Sequence, residues 1–257
     1  MLDVPAYLGR IGYSGSTEAS AETLRAIHRA HLFAVPFENL DIHLERPIMC
    51  DEDRFLHKII HERRGGFCYE LNGAFAALLC ALGFDVTLLS ARVARPDGSD
   101  GPEFDHLCLL VRLPNASVQD SWLADVGFGD SFIEPLRFEL DLEQSQIGRR
   151  YRLRETGKRI HLEMMADGTW KRQYSCTVQP RQLSDFAAMC HFHQTSPESH
   201  FTRQRICTLA RPDGRITLSD LKLIETKSEI RQEHALSGET EWRAQLKERF
   251  GIDLGAS

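Results

Sequence analysis

Cys68 stands apart from the other cysteines in the chemistry its neighbours offer. It follows Arg63-Arg64-Gly65-Gly66-Phe67 and opens an apolar helical pattern. A thiol at a helix N-terminus meets unpaired N–H groups and the positive end of the dipole, and both favour thiolate. Two preceding glycines would allow close approach of a substrate and leave N–H groups free to hold an oxyanion. Cys80 lies within an apolar helix face and Cys108 within an alternating strand pattern, so both read as core. On these features alone Cys68 is open to a second reading, as a packing residue at a helix start.

A cysteine nucleophile needs a base, and the base needs an orienting group. His106 begins the apolar run Leu107-Cys108-Leu109-Leu110-Val111, directly after Asp105. Asp125 ends the next strand pattern, in Ala124-Asp125-Val126-Gly127-Phe128-Gly129. A carboxylate among apolar neighbours must find a partner or lose its charge, and an imidazole on the adjacent strand would serve. The pattern equally fits Asp125 as a turn cap and His106 as a satisfied strand end. His57 and His61, four apart, read as a solvated helix face, since nothing nearby completes a ligand set. His191 and His193 in CHFHQTSPESH lack a second metal-binding cluster. Cysteine count is 7, odd and without zinc or redox spacing, which predicts free thiols in a reducing compartment.

The elements that must position these groups follow from periodicity. Ser20 caps a helix with Leu24, Ile27, His31 and Leu32 on one side, stopping near Pro36. Asp51 opens another, carrying Phe55, Leu56, Ile59 and Ile60, which Gly65-Gly66 should end. A third runs from Cys68 to about Leu82, with Gly83 as its stop. The period then becomes that of strands in FDVTLLSARVAR, FDHLCLLVRL and SWLADVGF. RIHLEMMADGTWKRQYSCTV predicts a hairpin turning at Asp167-Gly168. A helix over about 184–193, a hairpin in RICTLARPDGRITLSDLKL and a charged helix over about 239–250 complete the chain. Arg-Pro-Asp-Gly occurs at 95–98 and at 211–214, both as turn chemistry. Helices first, then strands, then a mixed tail make an α+β fold.

Four segments resemble a known family, the arylamine N-acetyltransferases of prokaryotic type. They are HLFAVPFENL (31–40), RGGFCYELN (64–72), DHLCLLV (105–111) and ADVGFG (124–129). The resemblance covers the chain from end to end, and PFENL with RGGFC is a specific combination. It implies a Cys-His-Asp triad of the cysteine-protease kind at Cys68, His106 and Asp125. It also implies an N-terminal helical bundle over 1–83, a central β-barrel over 84–185 and a C-terminal α/β lid over 186–257. The implied reaction takes acetyl from acetyl-CoA, a co-substrate, to an arylamine, arylhydrazine or N-hydroxyarylamine through an acetyl-cysteine. A flat acceptor ring needs aromatic walls, for which Phe37, Phe128 and Phe201 are candidates. Gly127 and Gly129 would admit the CoA pantetheine or the acetyl group. Glu38 and Arg64 read as an ion pair bracing the cysteine loop. The stretch before the lid keeps Thr195-Ser196-Pro197 but has a histidine, His193, ahead of it, which bears on acceptor specificity.

The remaining expectations are exclusions. Lys+Arg 31 against Asp+Glu 37 gives a net charge of −6, which argues against nucleic-acid and anionic-membrane binding. The longest apolar stretch, residues 73–84, is short of the roughly 18 needed to span a bilayer. With no signal pattern at the N-terminus, a cytoplasmic location is expected. The chemistry requires no metal. No G-x-x-x-x-G-K loop is present, so CoA phosphates should be held loosely near the surface. Asn115-Ala116-Ser117 is a glycosylation sequon of little meaning in the cytosol. The rivals are an amide synthase on the same fold and a cysteine hydrolase of papain or transglutaminase type. A degenerate binding protein is disfavoured by intact triad positions, and a zinc module fails on cysteine spacing.

Overall fold

The computed structural model describes residues 2–114, 120–228 and 230–255, so the sequon at 115–117 lies outside the described residues. Side-chain caps start the first helices. Asp3 accepts the Ala6 N–H (2.9 Å) to open α1 (Val4–Arg10). Ser20 accepts that of Thr23 (3.1 Å) to open α2 (Ala21–Ala34). After β1 (Phe37–Glu38) and α3 (Leu40–His43), Asp51 accepts the Arg54 N–H (2.9 Å) to open α4 (Glu52–Ile60). This helix ends before the expected Gly65-Gly66. The chain turns instead at Arg63, in the left-handed region (φ 52°).

Helix α5 (Cys68–Ala81) is buried on nearly every side, from Cys68 through Ala76. A helix apolar all round belongs inside a core rather than on its surface. One correction follows. Cys80 is exposed, beside half-buried Ala77 and exposed Ala81 on the narrow outer stripe of the last turns, so it is not a core residue.

The strands β2 (Asp85–Val93), β3 (His106–Arg112), β4 (Ser121–Ala124), β5 (Leu136–Arg137), β6 (Gln144–Gln146), β7 (Arg149–Thr156), β8 (Arg159–Ala166) and β9 (Thr169–Cys176) form one sheet. Its order is β5-β4-β3-β2-β9-β8-β7-β6, and every pairing is antiparallel. The turn between β8 and β9 has positive φ at both Asp167 (51°) and Gly168 (72°), as the expected hairpin requires. The two edge strands meet through side chains. Gln144 accepts the Arg137 N–H (2.8 Å) and donates to its carbonyl (3.1 Å). Gln146 does the same for Glu134 (2.8 and 2.7 Å). The sheet is thus a near-barrel, closed by amides where ladder bonds are missing.

A 3-10 turn (Leu183–Phe186), α6 (Ala187–Thr195) and the short α7 (His200–Arg203) lead to a second sheet. Its strands are β10 (Ile206–Arg211), β11 (Gly214–Ser219), β12 (Lys222–Lys227) and β13 (Ile230–Ala235), and α8 (Glu239–Phe250) packs on it. The expected hairpin is therefore part of a longer meander. Its other edge is β1, where Phe37 and Glu38 pair with Thr208 and Cys207. The PFENL segment thereby ties the first helices to the last sheet. Strand β3 serves two cores by alternation: Leu107, Leu109 and Val111 face the helices, and Cys108 faces the barrel interior. Among the described residues no helix is long and apolar enough to cross a membrane.

Candidate active site

The loop before Cys68 is held from beneath by buried charge. Arg64 reaches Glu38 (2.8 Å) and Asp41 (2.9 Å), so the expected Glu38–Arg64 pair is present. It is part of a larger network, in which Lys58 lies 2.7 Å from Asp41, 2.7 Å from Glu70 and 3.7 Å from Glu38. Glu70 also accepts the Phe67 N–H (3.1 Å) at the start of α5. Burial, with Glu38 and Asp41 adding to it against the pull of Lys58, raises the Glu70 carboxyl to about 7. Arg10 on α1 donates to the carbonyls of Ile59 (2.9 Å) and Ala34 (2.8 Å), joining the same loops. The glycines act differently from expectation. A Cβ on Gly65 would fall 1.8 Å from the Pro36 carbonyl oxygen, and one on Gly66 would fall 2.6 Å from Glu70 Oε2. Their smallness serves chain packing under the loop rather than substrate approach.

Cys68 is 3% exposed, in the first turn of α5. Burial pushes its thiol well up, and Asp105 and Asp125 add to this. The backbone groups of Leu107 and Tyr69 pull the other way without prevailing. The helix start alone therefore does not make a thiolate here. A buried thiolate needs a cation beside it.

His106, the first residue of β3, turns Nε2 to Asp125 Oδ2 at 2.7 Å. Asp125 Oδ1 accepts from Asn72 Nδ2 (2.9 Å) and the Gly127 N–H (3.0 Å). Burial would raise the Asp125 carboxyl, but His106, Asn72 and Gly127 outweigh it and hold it below the usual range. Asn72 sits one turn after Cys68 on α5. It also donates to the Leu107 carbonyl (2.6 Å) and accepts the Val126 N–H (2.9 Å). One amide thus joins the cysteine helix to the strand of His106 and the loop of Asp125. With Nε2 committed to Asp125, Nδ1 is the His106 nitrogen available for proton exchange.

His28 on α2 completes the support. Its Nε2 accepts the Asp125 N–H (3.1 Å), which fixes the proton on Nδ1, and Nδ1 donates to the Ile133 carbonyl (2.8 Å). Burial lowers its pKa to about 4, against the Ile133 carbonyl and the Asp125 charge. Its folded pKa lies below the ordinary 6.5, so its contribution is complete above pH 6.5 and lost as pH falls toward 4. The shift corresponds to about 3 kcal/mol. Unfolding free energies from urea titrations of wild type should drop between pH 7 and 4.5. In His28→Gln that drop should be smaller by most of this amount, and an equal drop in both proteins would contradict a neutral His28.

Cys68 and His106 line one cavity of about 440 Å³ with Phe37, Gly127, Phe128 and Phe201. The Phe37 and Phe201 rings are 6.0 Å apart, and Phe128 meets the His106 ring edge-on at 5.2 Å. Tyr174 lies 5.2 Å from both of the latter rings. A Cβ on Gly127 would fall 2.8 Å from Cys68 Cα, so only glycine lets this loop pack on the cysteine. Gly129 (φ 89°) lines an adjoining cavity of about 330 Å³, which shares Phe37, Phe128 and Phe201. Another cavity, about 680 Å³, lies over Arg46, Arg54 and Lys58 and holds neither Cys68 nor His106. His57 and His61 are exposed, their rings 5.3 Å apart. His193 is buried on the cavity wall, beside Asp105. Among the described residues no group of three or more His, Cys, Asp or Glu could hold a metal ion.

Asn72, His28, Arg10 and the His193–Asp105 contact are absent from the sequence reading. Only the general rule that buried polar side chains are hydrogen-bonded pointed toward them.

The helical core, near-barrel sheet and second sheet that surround this thiol and histidine–carboxylate pair form the fold of the solved arylamine N-acetyltransferases. The N-acetyltransferase family matches residues 20–257. An arylamine N-acetyltransferase of Mycolicibacterium smegmatis is 34% identical over 258 residues, which cover 99% of this chain and 93% of that protein. The solved Mycobacterium marinum arylamine N-acetyltransferase in complex with CoA matches with a TM-score of 0.90 at 32% identity, covering 97% of this chain and 93% of that one. Proansamycin X synthase of Amycolatopsis mediterranei is 32% identical over 263 residues, 99% of each chain. The chain belongs to the arylamine N-acetyltransferase family and is an enzyme of that type.

Proposed function

We propose that this enzyme moves acetyl from acetyl-CoA to aromatic amines and arylhydrazines in two half-reactions through acetyl-Cys68. The observation that carries the reading is the His106–Asp125 pair at 2.7 Å beside a cavity that also holds Cys68 and three phenylalanines. His106 takes the thiol proton through Nδ1, and Asp125 stabilises the imidazolium. The thiolate, otherwise disfavoured by burial, then has its cation. It attacks the thioester carbonyl, and CoA departs as a thiol, recovering the proton from His106. The aromatic amine, neutral at pH 7, attacks the acetyl-cysteine. His106 takes a proton from the attacking nitrogen, and Cys68 leaves with its bonding pair.

Phe37, Phe128 and Phe201 hold the acceptor ring in this account, and Gly127 and Gly129 give passage to the pantetheine and acetyl group. The division into 1–83, 84–185 and 186–257 then has a meaning. The first part supplies the thiol, the second the base and its carboxylate, and the third one wall of the cavity. Free cysteines fit a cytoplasmic setting.

An amide synthase would use the same groups, and similarity to the synthase relative extends over the whole chain. A cavity of about 440 Å³ is at the small end of ligand sites and suits one aromatic ring with an acetyl group, which favours transfer of a small acyl group over closure of a long tethered chain. Initial rates with acetyl-CoA and amine both varied should give parallel double-reciprocal lines. Intersecting lines would point to direct transfer in a ternary complex.

A further inference from the structure

The cavity wall carries a second histidine–carboxylate contact that the mechanism above leaves unused. His193 on α6 is 4% exposed, and its Nε2 lies 3.2 Å from Oδ1 of Asp105. Both residues line the cavity that holds Cys68. The approach is off the line of a hydrogen bond, and His193 Nε2 has no aligned acceptor among the described residues.

The contact is held from both sides. Ser199 Oγ accepts the Phe201 N–H (3.2 Å) and lies 3.3 Å from His193 Nδ1, so its hydroxyl proton is free for that nitrogen. The histidine's own proton then belongs on Nε2, toward Asp105. Tyr69 Oη donates to the Phe104 carbonyl at 2.6 Å, and Phe104 sits at φ 65°, a costly conformation for a residue with a side chain. A Cβ on Gly101 would fall 2.3 Å from Asp105 Oδ2, so the backbone there is shaped around this carboxylate.

Asp105 has the His193 imidazole as its neighbour and no lysine or arginine within salt-bridge reach among the described residues. Its charge is felt at the nucleophile, where it helps to push the Cys68 thiol up. Arg95 and Glu198 also line the cavity, but both are exposed, of opposite sign and screened by water.

We infer that Asp105, held in place by His193, selects the acceptor by charge, disfavouring amines whose ring carries a carboxylate. In a cavity of about 440 Å³ an anionic ring substituent cannot move far from this carboxylate, and repulsion at partly buried sites is weakly screened. The inference rests on the acetyl-transfer reading, because the acceptor enters this cavity to meet acetyl-Cys68.

The test compares kcat/KM for 4-aminobenzoate and its methyl ester, with acetyl-CoA as donor. Ring electronics cancel when the same two amines are compared across variants. Asp105→Asn should raise the acid-to-ester ratio about tenfold. Asp105→Ser should do the same and stands in if the asparagine variant fails to fold. His193→Phe keeps the ring packing on Tyr69 (6.2 Å) and Phe201 (5.2 Å) but removes the polar edge that faces Asp105, and should lower the ratio. General damage to the fold would not move the ratio in opposite directions. A ratio within twofold of wild type in the Asp105 variants overturns the selection. A rise in His193→Phe contradicts the pairing. No turnover of the ester by wild type would overturn the acetyl-transfer reading, and this inference with it.

Discussion

Cys68→Ser is expected to lose acetyl transfer by on the order of 10⁴-fold or more, with its melting curve nearly unchanged. A serine oxygen fits where the sulfur packs at the start of α5. Its hydroxyl is far less acidic than a thiol, so transfer of its proton to His106 is strongly uphill and the oxygen does not become a nucleophile. The other cysteines provide an internal control. Cys108, Cys176, Cys190 and Cys207 are buried. Cys80 is exposed rather than in the core, and Cys50 is half-buried with its thiol lowered by a hydrogen bond with Cys190, so both compete with Cys68 for a thiol reagent. Partial burial, with Glu52 and Asp85 nearby, raises the Cys80 thiol. Proton transfer to His106 should make Cys68 the fastest of these thiols, so limiting iodoacetamide near neutral pH should label the Cys68 peptide first and remove activity in proportion. If Cys68→Ser remained active, or inactivation followed Cys50 or Cys80 labelling, Cys68 would not be the nucleophile.

Asp125→Asn is expected to lower turnover on the order of 10³–10⁴-fold while keeping the shape of the site. The reason lies in the donors around the carboxylate. Oδ1 accepts from Asn72 and Gly127, and Oδ2 accepts from His106 Nε2. An asparagine must keep its oxygen toward Asn72 and Gly127, which are both donors. Its amide N–H then faces His106, forces Nε2 to accept and moves the imidazole proton to Nδ1. That tautomer cannot take a proton from Cys68 and has no carboxylate to stabilise the imidazolium. The rate of Cys68 alkylation against pH should shift toward the free-thiol value of about 8.5 or above. If Asp125 only capped a turn, the loss would be about 1 kcal/mol of stability. The pH profile and near-normal turnover would then be retained.

The parts of the fold that were legible in the sequence are those where a local side chain decides the backbone. Ser20 and Asp51 begin α2 and α4 because each accepts an N–H three residues on. Asp167-Gly168 turns the β8–β9 hairpin because both residues sit at positive φ. The closing helix has the expected bounds, Glu239–Phe250. Short or one-sided elements were not legible. Strand β13 is exposed at every described residue, so no alternation marks it, and β1 and β5 have two residues each.

The same division holds at the site. Cys68, His106 and Asp125 were picked out by residue type, setting and resemblance. Their supports depend on distant partners: Asn72 meets Asp125 across 53 positions, and His28 meets it across 97. Local pattern also misjudged two effects of packing. It gave the helix start more influence over the Cys68 thiol than burial allows, and it assigned Gly65 and Gly66 to the substrate when Pro36 and Glu70 occupy that space.

The most direct test of acetyl transfer through Cys68 is the intact mass of the enzyme after brief incubation with acetyl-CoA and no acceptor. The account predicts a gain of one acetyl group, mapped to the peptide containing Cys68, discharged on adding an aromatic amine and absent in Cys68→Ser. An unmodified enzyme that still acetylates the amine, or an acetyl group on another residue that the amine discharges, would contradict it.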